Sequence, residues 1–311
     1  MARYAFGADV GGTTVKIGLL TETGEKVDFW EIPTRTENHG ENIIPDIAES
    51  IRAKMKEKNI EDTQVVGAGI GVPGAVNADG LCYQAVNLGW EKVNVVNELH
   101  SKLKLPVKAG NDANVAALGE AWKGGGQGYP NMLLVTLGTG VGGGIIIEGK
   151  ILTGAKGSGG EIGHIHLVDD EPETCGCGNH GCFEMYASAT GAVRLAKRAL
   201  EATDEDSVLR GKDFVAKDIF DAAKAGDAVA VRVAEQYGYY LGKGIAAVAS
   251  VVNPEIIVLG GGVSKAGEML FDLLKPSFKK YVFPGCADVK FALAKLGNDA
   301  GVYGAAKMVC Y

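Results

Sequence analysis

A chain of 311 residues with 46% hydrophobic side chains can form one large domain, or two of ordinary size, around a substantial core. Its 31 basic and 38 acidic side chains give a net charge of −7, which argues against a surface that binds nucleic acid. No apolar run is long enough to span a bilayer, and the glycines of MARYAFGADVGG come too early for a signal peptide, so we expect a cytoplasmic protein without membrane association.

The 46 glycines are about twice the usual share of roughly 7%, and they cluster beside apolar, β-branched runs. Glycine turns at strand ends allow backbone N–H groups to approach a ligand closely. The clusters occupy residues 11–12, 67–74, 124–128, 138–144, 154–163 and 260–262. This distribution predicts ligand-binding turns and argues against a flexible linker.

The first half of the chain contains strand patterns followed by helix patterns. Apolar runs bounded by turn residues predict strands at Tyr4–Val10, Val15–Leu20, Lys26–Ile32, Val65–Gly71 and Val107–Ala109. Helical spacing of apolar residues predicts helices at Glu41–Lys58 and Ala113–Trp122.

The second half repeats the opening pattern of strand, glycine turn and strand, which suggests an internal duplication of structure. Strands are predicted at Met132–Leu137, Gly144–Glu148, Lys150–Thr153, Glu255–Leu259 and Val289–Leu293. Helices are predicted at Glu184–Ala202, Val215–Ala225 and Ala228–Val252, from Lys265, and from Asn298-Asp299 onward. Strands that alternate with helices in this way indicate an α/β fold.

One loop-rich stretch, GGEIGHIHLVDDEPETCGCGNHGCFE, combines three of the six cysteines with three of the five histidines. Six cysteines in a chain of this length do not form a disulfide framework, and this spacing favours metal ligands in a reducing cytosol. A tetrahedral zinc site is predicted from His164, Cys175, Cys177 and Cys182. The three cysteines are predicted by their spacing, while His166 and His180 are alternatives to His164 as the fourth ligand. Glu161 and Glu184 flank the set and are free to hold another ligand.

Two glycine turns resemble phosphate-binding hairpins. In the first, Asp9-x-Gly11-Gly12-Thr13-x-x-Lys16, backbone N–H groups and a hydroxyl can contact phosphate oxygens, while Asp9 can hold Mg²⁺ or its water. A plain hairpin turn is the alternative. The second turn, Leu137-Gly138-Thr139-Gly140, is followed by a strand where a dinucleotide-binding fingerprint requires a helix, so a Rossmann site is excluded. Two such turns could hold one polyphosphate.

Asn111-Asp112 lies between a predicted strand and a predicted helix. An aspartate there can act as the helix N-cap, which is the safer interpretation of this pair alone. The functional alternative is a general base that accepts a hydroxyl proton during phosphoryl transfer.

Together these residues resemble the ROK family of bacterial sugar kinases and repressors, whose fold is the actin/hexokinase-like (ribonuclease H-like) two-domain ATPase architecture with a cleft between the domains. The resemblance runs from Asp9 to the C-terminus. It rests on DVGGTTVK, GVPG, NDANVAALGE, LGTGVGGGIIIEGKILTGAKGSGGEIGH, CGCGNHGCFE and VVNPEIIVLGGGVS. The joint occurrence of E-x-G-H and C-x-C-G-x-x-G-C-x-E is highly specific, and VNLGW at Val86–Trp90 is similar to the glucokinases of the Gram-positive type.

The resemblance implies a role for each matching residue. Asp112 would be the base that deprotonates the 6-hydroxyl of the sugar. The other hydroxyls would be bound by Asn111, Glu161, His164 and Glu184. Structural zinc would be bound by His164, Cys175, Cys177 and Cys182, so that the two ring nitrogens of His164 face metal and sugar respectively. Mg·ATP would be surrounded by Asp9, Gly11, Gly12, Thr13, Lys16, Thr139, Gly140, Gly261 and Gly262.

The function implied is ATP-dependent phosphorylation of glucose to glucose 6-phosphate. Mannose, N-acetylmannosamine, fructose or allose are alternative substrates, because epimers differ by one hydroxyl. A sugar-responsive repressor is disfavoured, because only eight residues precede Asp9 and the chain is acidic. The resemblance also implies a homodimer or homotetramer and a discontinuous first domain. We expect domains at 1–120 plus about 299–311, and at 121–298 with the zinc loop.

Overall fold

The computed structural model describes residues 2–310, and the ends of the predicted first domain, Met1 and Tyr311, lie outside the described residues. The strands are β1 (Tyr4–Val10), β2 (Thr14–Thr21), β3 (Lys26–Pro33), β4 (Val65–Val72), β5 (Leu81–Cys82), β6 (Val93–Asn94), β7 (Val107–Asn111), β8 (Met132–Leu137), β9 (Val141–Ile147), β10 (Lys150–Ile151), β11 (Ile256–Gly260) and β12 (Lys290–Leu293). The α-helices are α1 (Glu37–Gly40), α2 (Ile43–Lys58), α3 (Val95–Leu103), α4 (Asp112–Lys123), α5 (Glu184–Ala187), α6 (Ala189–Glu201), α7 (Ala216–Lys224), α8 (Ala228–Val252), α9 (Met269–Tyr281) and α10 (Ala300–Val309).

The two five-stranded sheets follow the same order relative to the sequence. The first is β3-β2-β1-β4-β7 and the second is β10-β9-β8-β11-β12. In the first sheet β1 pairs antiparallel with β2 and parallel with β4, while in the second β8 pairs parallel with β11. This correspondence agrees with the internal duplication suggested by the repeated glycine turns.

The described residues separate into two compact units. Unit 1 comprises residues 2–130, 144–160 and 295–310, and unit 2 comprises residues 131–143 and 161–294. Unit 1 is discontinuous, in the manner that the resemblance implies, but it also includes the segment 144–160, which was predicted to lie in the second domain. The physical reason is the contact between Gly144 and α4, where a Cβ on Gly144 would overlap Ala117. The domain boundaries themselves stay a prediction.

Alternate residues of β1 lie on opposite faces of the unit 1 sheet, as strand geometry requires. Phe6 and Ala8 belong to a buried core that includes the apolar faces of α2 and α3. Ala5 belongs instead to a small cluster with Val302 and Ala306 of α10. The sheet of unit 1 is therefore covered on both faces, by α2 and α3 on one and by α10 on the other.

Glycines allow α10 to approach the sheet and α4 at backbone distance. A Cβ on Gly7 would overlap the carbonyl oxygen of Val302, and one on Gly69 would overlap that of Ala305. Within α10, a Cβ on Gly304 would overlap the carbonyl oxygen of Val115. Several of the unusually numerous glycines are thus explained by packing of one helix and not by ligand binding.

Unit 2 is organised around the 25-residue helix α8, which packs against α6, α7 and α9. Its parallel strands β8, β11 and β12 have a regular register, with Ile257 opposite both Leu133 and Phe291. None of the helices in residues 2–310 is long and apolar enough to cross a membrane.

Two helix predictions need correction. The helix predicted at Glu184–Ala202 is two helices, α5 and α6, because Ser188 is extended and its side chain caps α6 by accepting from the N–H of Gly191. The helix predicted from Lys265 begins only at Met269, because Gly267 has a φ of 77° that interrupts helical geometry after a short 3₁₀ turn.

Candidate functional site

The first glycine turn connects β1 and β2 and is held by backbone hydrogen bonds. The N–H of Gly11 donates to the carbonyl of Thr14 at 3.0 Å, and the N–H of Thr34 donates to that of Thr13 at 3.0 Å. Gly11, Gly12 and Thr13 are exposed. The turn therefore presents a rigid, accessible backbone, as a phosphate-binding turn requires.

Asp9 and Lys16 lie opposite each other in the β1–β2 pairing. Burial and the nearby Asp112 carboxylate raise the pKa of Asp9 to about 6, and Lys16 opposes this shift. The carboxylate of Asp9 lies at the beginning of α10, where a Cβ on Gly301 would overlap it. Because the neighbouring Asp112 carboxylate raises the proton affinity of Asp9, a divalent cation beside Asp9 would compensate negative charge there.

Asn111, and not Asp112, is the N-cap of α4, so the interpretation of Asp112 as the cap is wrong. The helix cap is Asn111, whose side-chain oxygen accepts from the N–H of Asn114 at 3.2 Å, while its amide donates to Gly74 O at 3.1 Å. Asp112 is the first residue of α4, and its Oδ1 accepts from the N–H of Ala113 at 2.8 Å. Burial raises the pKa of Asp112, against hydrogen bonds from Ala113 and Asn111 that lower it. The carboxylate is thus not needed as the cap.

The cysteine-rich loop brings together the four side chains predicted to bind zinc. The donor atoms of His164, Cys175, Cys177 and Cys182 all lie within 4.8 Å of one another. Cys177 Sγ is 3.6 Å from Cys182 Sγ, and Cys175 Sγ is 3.7 Å from His164 Nδ1. Tetrahedral zinc with Zn–S of about 2.3 Å and Zn–N of about 2.0 Å would separate two sulfurs by about 3.8 Å, and a sulfur and a nitrogen by about 3.5 Å. The donor set therefore fits zinc in kind, number and spacing.

The two alternative histidines make other contacts. His166 Nδ1 is 3.0 Å from the carbonyl of His180, and its Nε2 is 2.9 Å from Asp169 Oδ1. His180 Nδ1 is 2.9 Å from the carbonyl of Glu171. His164 presents Nδ1 to the cysteines, so its Nε2 is the ring nitrogen that remains for a second ligand. The geometry favours His164 over both alternatives.

Glu184 connects the cysteine loop to the second glycine turn. Its Oε1 accepts from Cys175 Sγ at 3.0 Å, and its Oε2 accepts from the N–H of Val141 at 3.4 Å. A Cβ on Gly140 would overlap Glu184 Oε2, so this approach depends on glycine. In the same turn, Thr139 O accepts from Thr190 Oγ1 at 2.7 Å. The turn is thus fixed from α5 and α6.

The predicted site residues are distributed over both units. Unit 1 contains Asn111 and Asp112, and unit 2 contains Glu161, His164 and Glu184. Glu161 is exposed and immediately precedes the 3₁₀ turn Ile162–His164. The predicted nucleotide-binding residues are divided similarly, and their convergence on one nucleotide, like that of the sugar ligands on one hexose, stays a prediction.

A cavity beside Gly262 contains residues that sequence reasoning missed. It has a volume of about 370 Å³, and its walls are formed by α7, the residue before it and the turn after β11. Apolar side chains of the lining are Val215, Phe220 and Val263, and charged ones include Lys217 and Asp221. Gly261, with a φ of 83°, packs on the backbone of Leu137 and so holds the turn against β8. The walls lie about fifty positions apart in the chain, which is why no motif reveals them.

Solved structures identify the class of protein that has this fold. A ROK hexokinase from Thermus thermophilus aligns with a TM-score of 0.82 and 30% identity over 98% of this chain and 97% of that chain. A ROK family glucokinase from Streptomyces griseus, solved in complex with glucose and AMPPNP, aligns with a TM-score of 0.74 and 35% identity over 98% of each chain. The predicted α/β, actin/hexokinase-like class is confirmed.

The chain belongs to the ROK family, whose sequence pattern matches residues 5–310. A glucokinase from Halalkalibacterium halodurans is 46% identical over 313 aligned positions, which cover 99% of this chain and 95% of that protein. The resemblance recognised from the motifs, including its narrower similarity to glucokinases, is therefore confirmed.

Proposed function

We propose that this protein transfers the γ-phosphoryl group of ATP to the 6-hydroxyl of glucose and so forms glucose 6-phosphate. The relative that is 46% identical over almost the whole chain, and is named a glucokinase, supports this activity. The structural observation that carries the proposal is the position of Asp112. Its partly buried carboxylate lies at the start of α4, and it is available for proton transfer because Asn111 caps the helix.

Asp112 is the general base in this proposal. Burial raises the pKa of Asp112, which makes it a better proton acceptor than an exposed carboxylate. Asn111 positions it and contributes to sugar binding. In unit 2, Glu161, His164 Nε2 and Glu184 bind the remaining hydroxyls. Phosphoryl transfer needs little covalent chemistry from the protein, so alignment of the hydroxyl and neutralisation of charge supply most of the rate.

ATP would be held from both glycine turns. Gly11, Gly12 and Thr13 offer N–H groups and a hydroxyl to the phosphates, and Thr139 and Gly140 do so in unit 2. Asp9 would hold Mg²⁺ or its water, and Lys16 would neutralise phosphate charge. The cavity beside Gly261 and Gly262 would accept the adenosine, since its apolar walls suit a purine and its volume of about 370 Å³ is sufficient.

Zinc bound by His164 and the three cysteines would be structural. A site with four protein ligands has no open position for a reactant, so the metal shapes the loop and orients His164 and does not take part in the reaction. Association into a homodimer or homotetramer is also proposed, and light scattering of the purified protein would test it.

A coupled assay with ATP over a panel of hexoses tests the proposed activity. Glucose should give the highest kcat/KM among glucose, mannose, N-acetylmannosamine, fructose and allose. Asp112→Asn should keep glucose affinity, measured by calorimetry, and lose about 10²–10⁴-fold in kcat. Asp79→Asn, on a surface turn of the same unit, is the control. An unchanged kcat in Asp112→Asn would refute the assignment of the base.

A further inference from the structure

An ion pair between Glu171 and Arg198 joins the cysteine-rich loop to α6, and the Arg198 side chain is 38% exposed. The side chain of Glu171 is only 1% exposed. Arg198 of α6 donates to both of its oxygens, at 3.0 Å to Oε2 and 2.7 Å to Oε1. The hydroxyl of Tyr186 donates to Oε2, and the N–H of Glu173 donates to Oε1 at 3.0 Å. Every acceptor position on this carboxylate is therefore matched by a donor.

A second carboxylate extends the contact to a second arginine. Arg198 also reaches Glu173 Oε1 at 2.6 Å, and Arg194 Nε lies 3.4 Å from Glu173 Oε2. Arg194 and Arg198 are one helical turn apart on α6, so both guanidinium groups project from the same face. One nitrogen of Arg194, Nη1, is buried and has no hydrogen-bond partner in the described part of the chain. The arginines of α6 therefore offer at least one hydrogen-bond donor group that the loop does not accept from.

The loop side of this contact lies between His164 and the three cysteine ligands in the chain. Glu173 lies two residues before Cys175, and the carbonyl of Glu171 accepts from His180 Nδ1 at 2.9 Å. At its other end α6 holds the second glycine turn, where Ala189 N donates to Gly138 O at 2.8 Å. One helix therefore determines the position of both the loop and the turn.

Stability alone does not account for such a pair. Burial of the Glu171 carboxylate costs solvation energy, and its attraction to the 38% exposed Arg198 restores only part of that cost. A bidentate guanidinium–carboxylate contact also fixes the relative orientation of the two side chains. Backbone hydrogen bonds such as Leu167 N to Gly181 O hold the loop to itself, and the ion pair adds a fixed contact between the loop and α6.

We propose that Glu171 and Arg198 are positioning residues of the sugar site: they fix the register of the cysteine-rich loop, and through it the places of His164 and Glu184, independently of the metal. The proposal rests on the proposed function for its effect on sugar binding. Its effect on the metal does not depend on that function, and the two can be measured separately.

The experiment uses the zinc-loaded protein and two variants, with Arg232→Met as the matched control. Arg232 pairs with Glu205 on the surface of the same unit, and both side chains are about half exposed. Arg198→Met should raise KM for glucose about tenfold, change kcat by less than about threefold, and speed zinc release to a colorimetric chelator about tenfold. The control should change none of the three.

The double variant Glu171→Gln/Arg198→Met separates positioning from stability. It leaves no uncompensated charge, so its unfolding temperature should return close to that of the parent. The KM for glucose should stay raised and zinc release should stay fast, because the bidentate contact between positions 171 and 198 is still missing. Recovery of all three together, or a change of unfolding temperature alone in Arg198→Met, would overturn the proposal.

Two further measurements keep the result decisive. Should Arg198→Met fail to fold, Tyr186→Phe removes a single donor from Glu171 and should speed zinc release by a smaller factor; parental release in that variant would count against the proposal. Should the parent protein lack glucose kinase activity, the proposed function fails, and the zinc-release comparison still decides whether Glu171 and Arg198 hold the loop.

Discussion

Replacement of Asp9 by asparagine should stabilise the protein while it abolishes activity. Burial raises the pKa of Asp9 from 3.8 to about 6. The native state therefore holds a proton on this group more tightly than the unfolded chain does. The contribution of protonated Asp9 to the free energy of unfolding is fully present below pH 3.8 and is lost as the pH rises through about 6. At pH 8 the ionised carboxylate thus destabilises the native state.

The magnitude follows from the shift. A difference of about 2.2 pKa units corresponds to about 3 kcal/mol at pH 8, and the same relation gives about 1.6 kcal/mol at pH 5. Asp9→Asn removes the charge, so its gain in unfolding free energy should be close to these values at each pH. Phosphoryl transfer should be lost, because asparagine cannot neutralise Mg²⁺.

Urea unfolding of both proteins at pH 5 and pH 8, without nucleotide or Mg²⁺, measures the effect. Glu91→Gln, at an exposed position of the same unit, is the control and should change unfolding by less than about 0.5 kcal/mol at either pH. A gain that does not depend on pH, or a loss of stability at pH 8, would refute the argument that burial of this carboxylate opposes folding.

Three further outcomes are expected. Gly304→Ala should lose about 1–3 kcal/mol of unfolding free energy in urea melts, because its Cβ would overlap Val115 O; a gain would mean that α10 can shift without cost. Val215→Glu should raise KM for ATP and leave KM for glucose unchanged, whereas Val208→Glu, equally exposed but outside the cavity, should change neither. Elemental analysis should find one zinc per chain, and its chelation should lower both the unfolding temperature and glucose affinity; active protein without zinc would exclude the dual role of His164.

Strands and the metal set were predictable because their signals are local. Met132–Leu137 is bounded by turn residues, and its predicted limits agree with β8. The cysteine spacing likewise brings Cys175, Cys177 and Cys182 together within one loop. The helix α3 was missed although Val95, Leu99 and Leu103 have helical spacing and are fully buried. The helix has only nine residues, so its apolar positions make too few helical repeats to predict a helix from the sequence.

Features that depend on contacts between distant segments were not predictable. No local pattern assigns the cap to Asn111 and leaves Asp112 available, because asparagine and aspartate are equally good N-caps. The pairing of Glu171 with Arg198 joins positions 27 residues apart across a loop of irregular conformation. The glycine clusters were partly misleading, since Gly69 belongs to the cluster at residues 67–74 but allows the close approach of α10 to the sheet.

The contact of α10 with β1 and β4 has a consequence for how the chain is made. Unit 1 begins to emerge from the ribosome first, yet one face of its sheet is covered only when residues 300–309 have been synthesised. Synthesis of the intervening residues 161–294 takes roughly 7 to 27 seconds at 5–20 residues per second. Throughout that interval the glycine-lined face of β1 and β4 lacks its helix, and we expect it to be the surface on which a molecular chaperone acts.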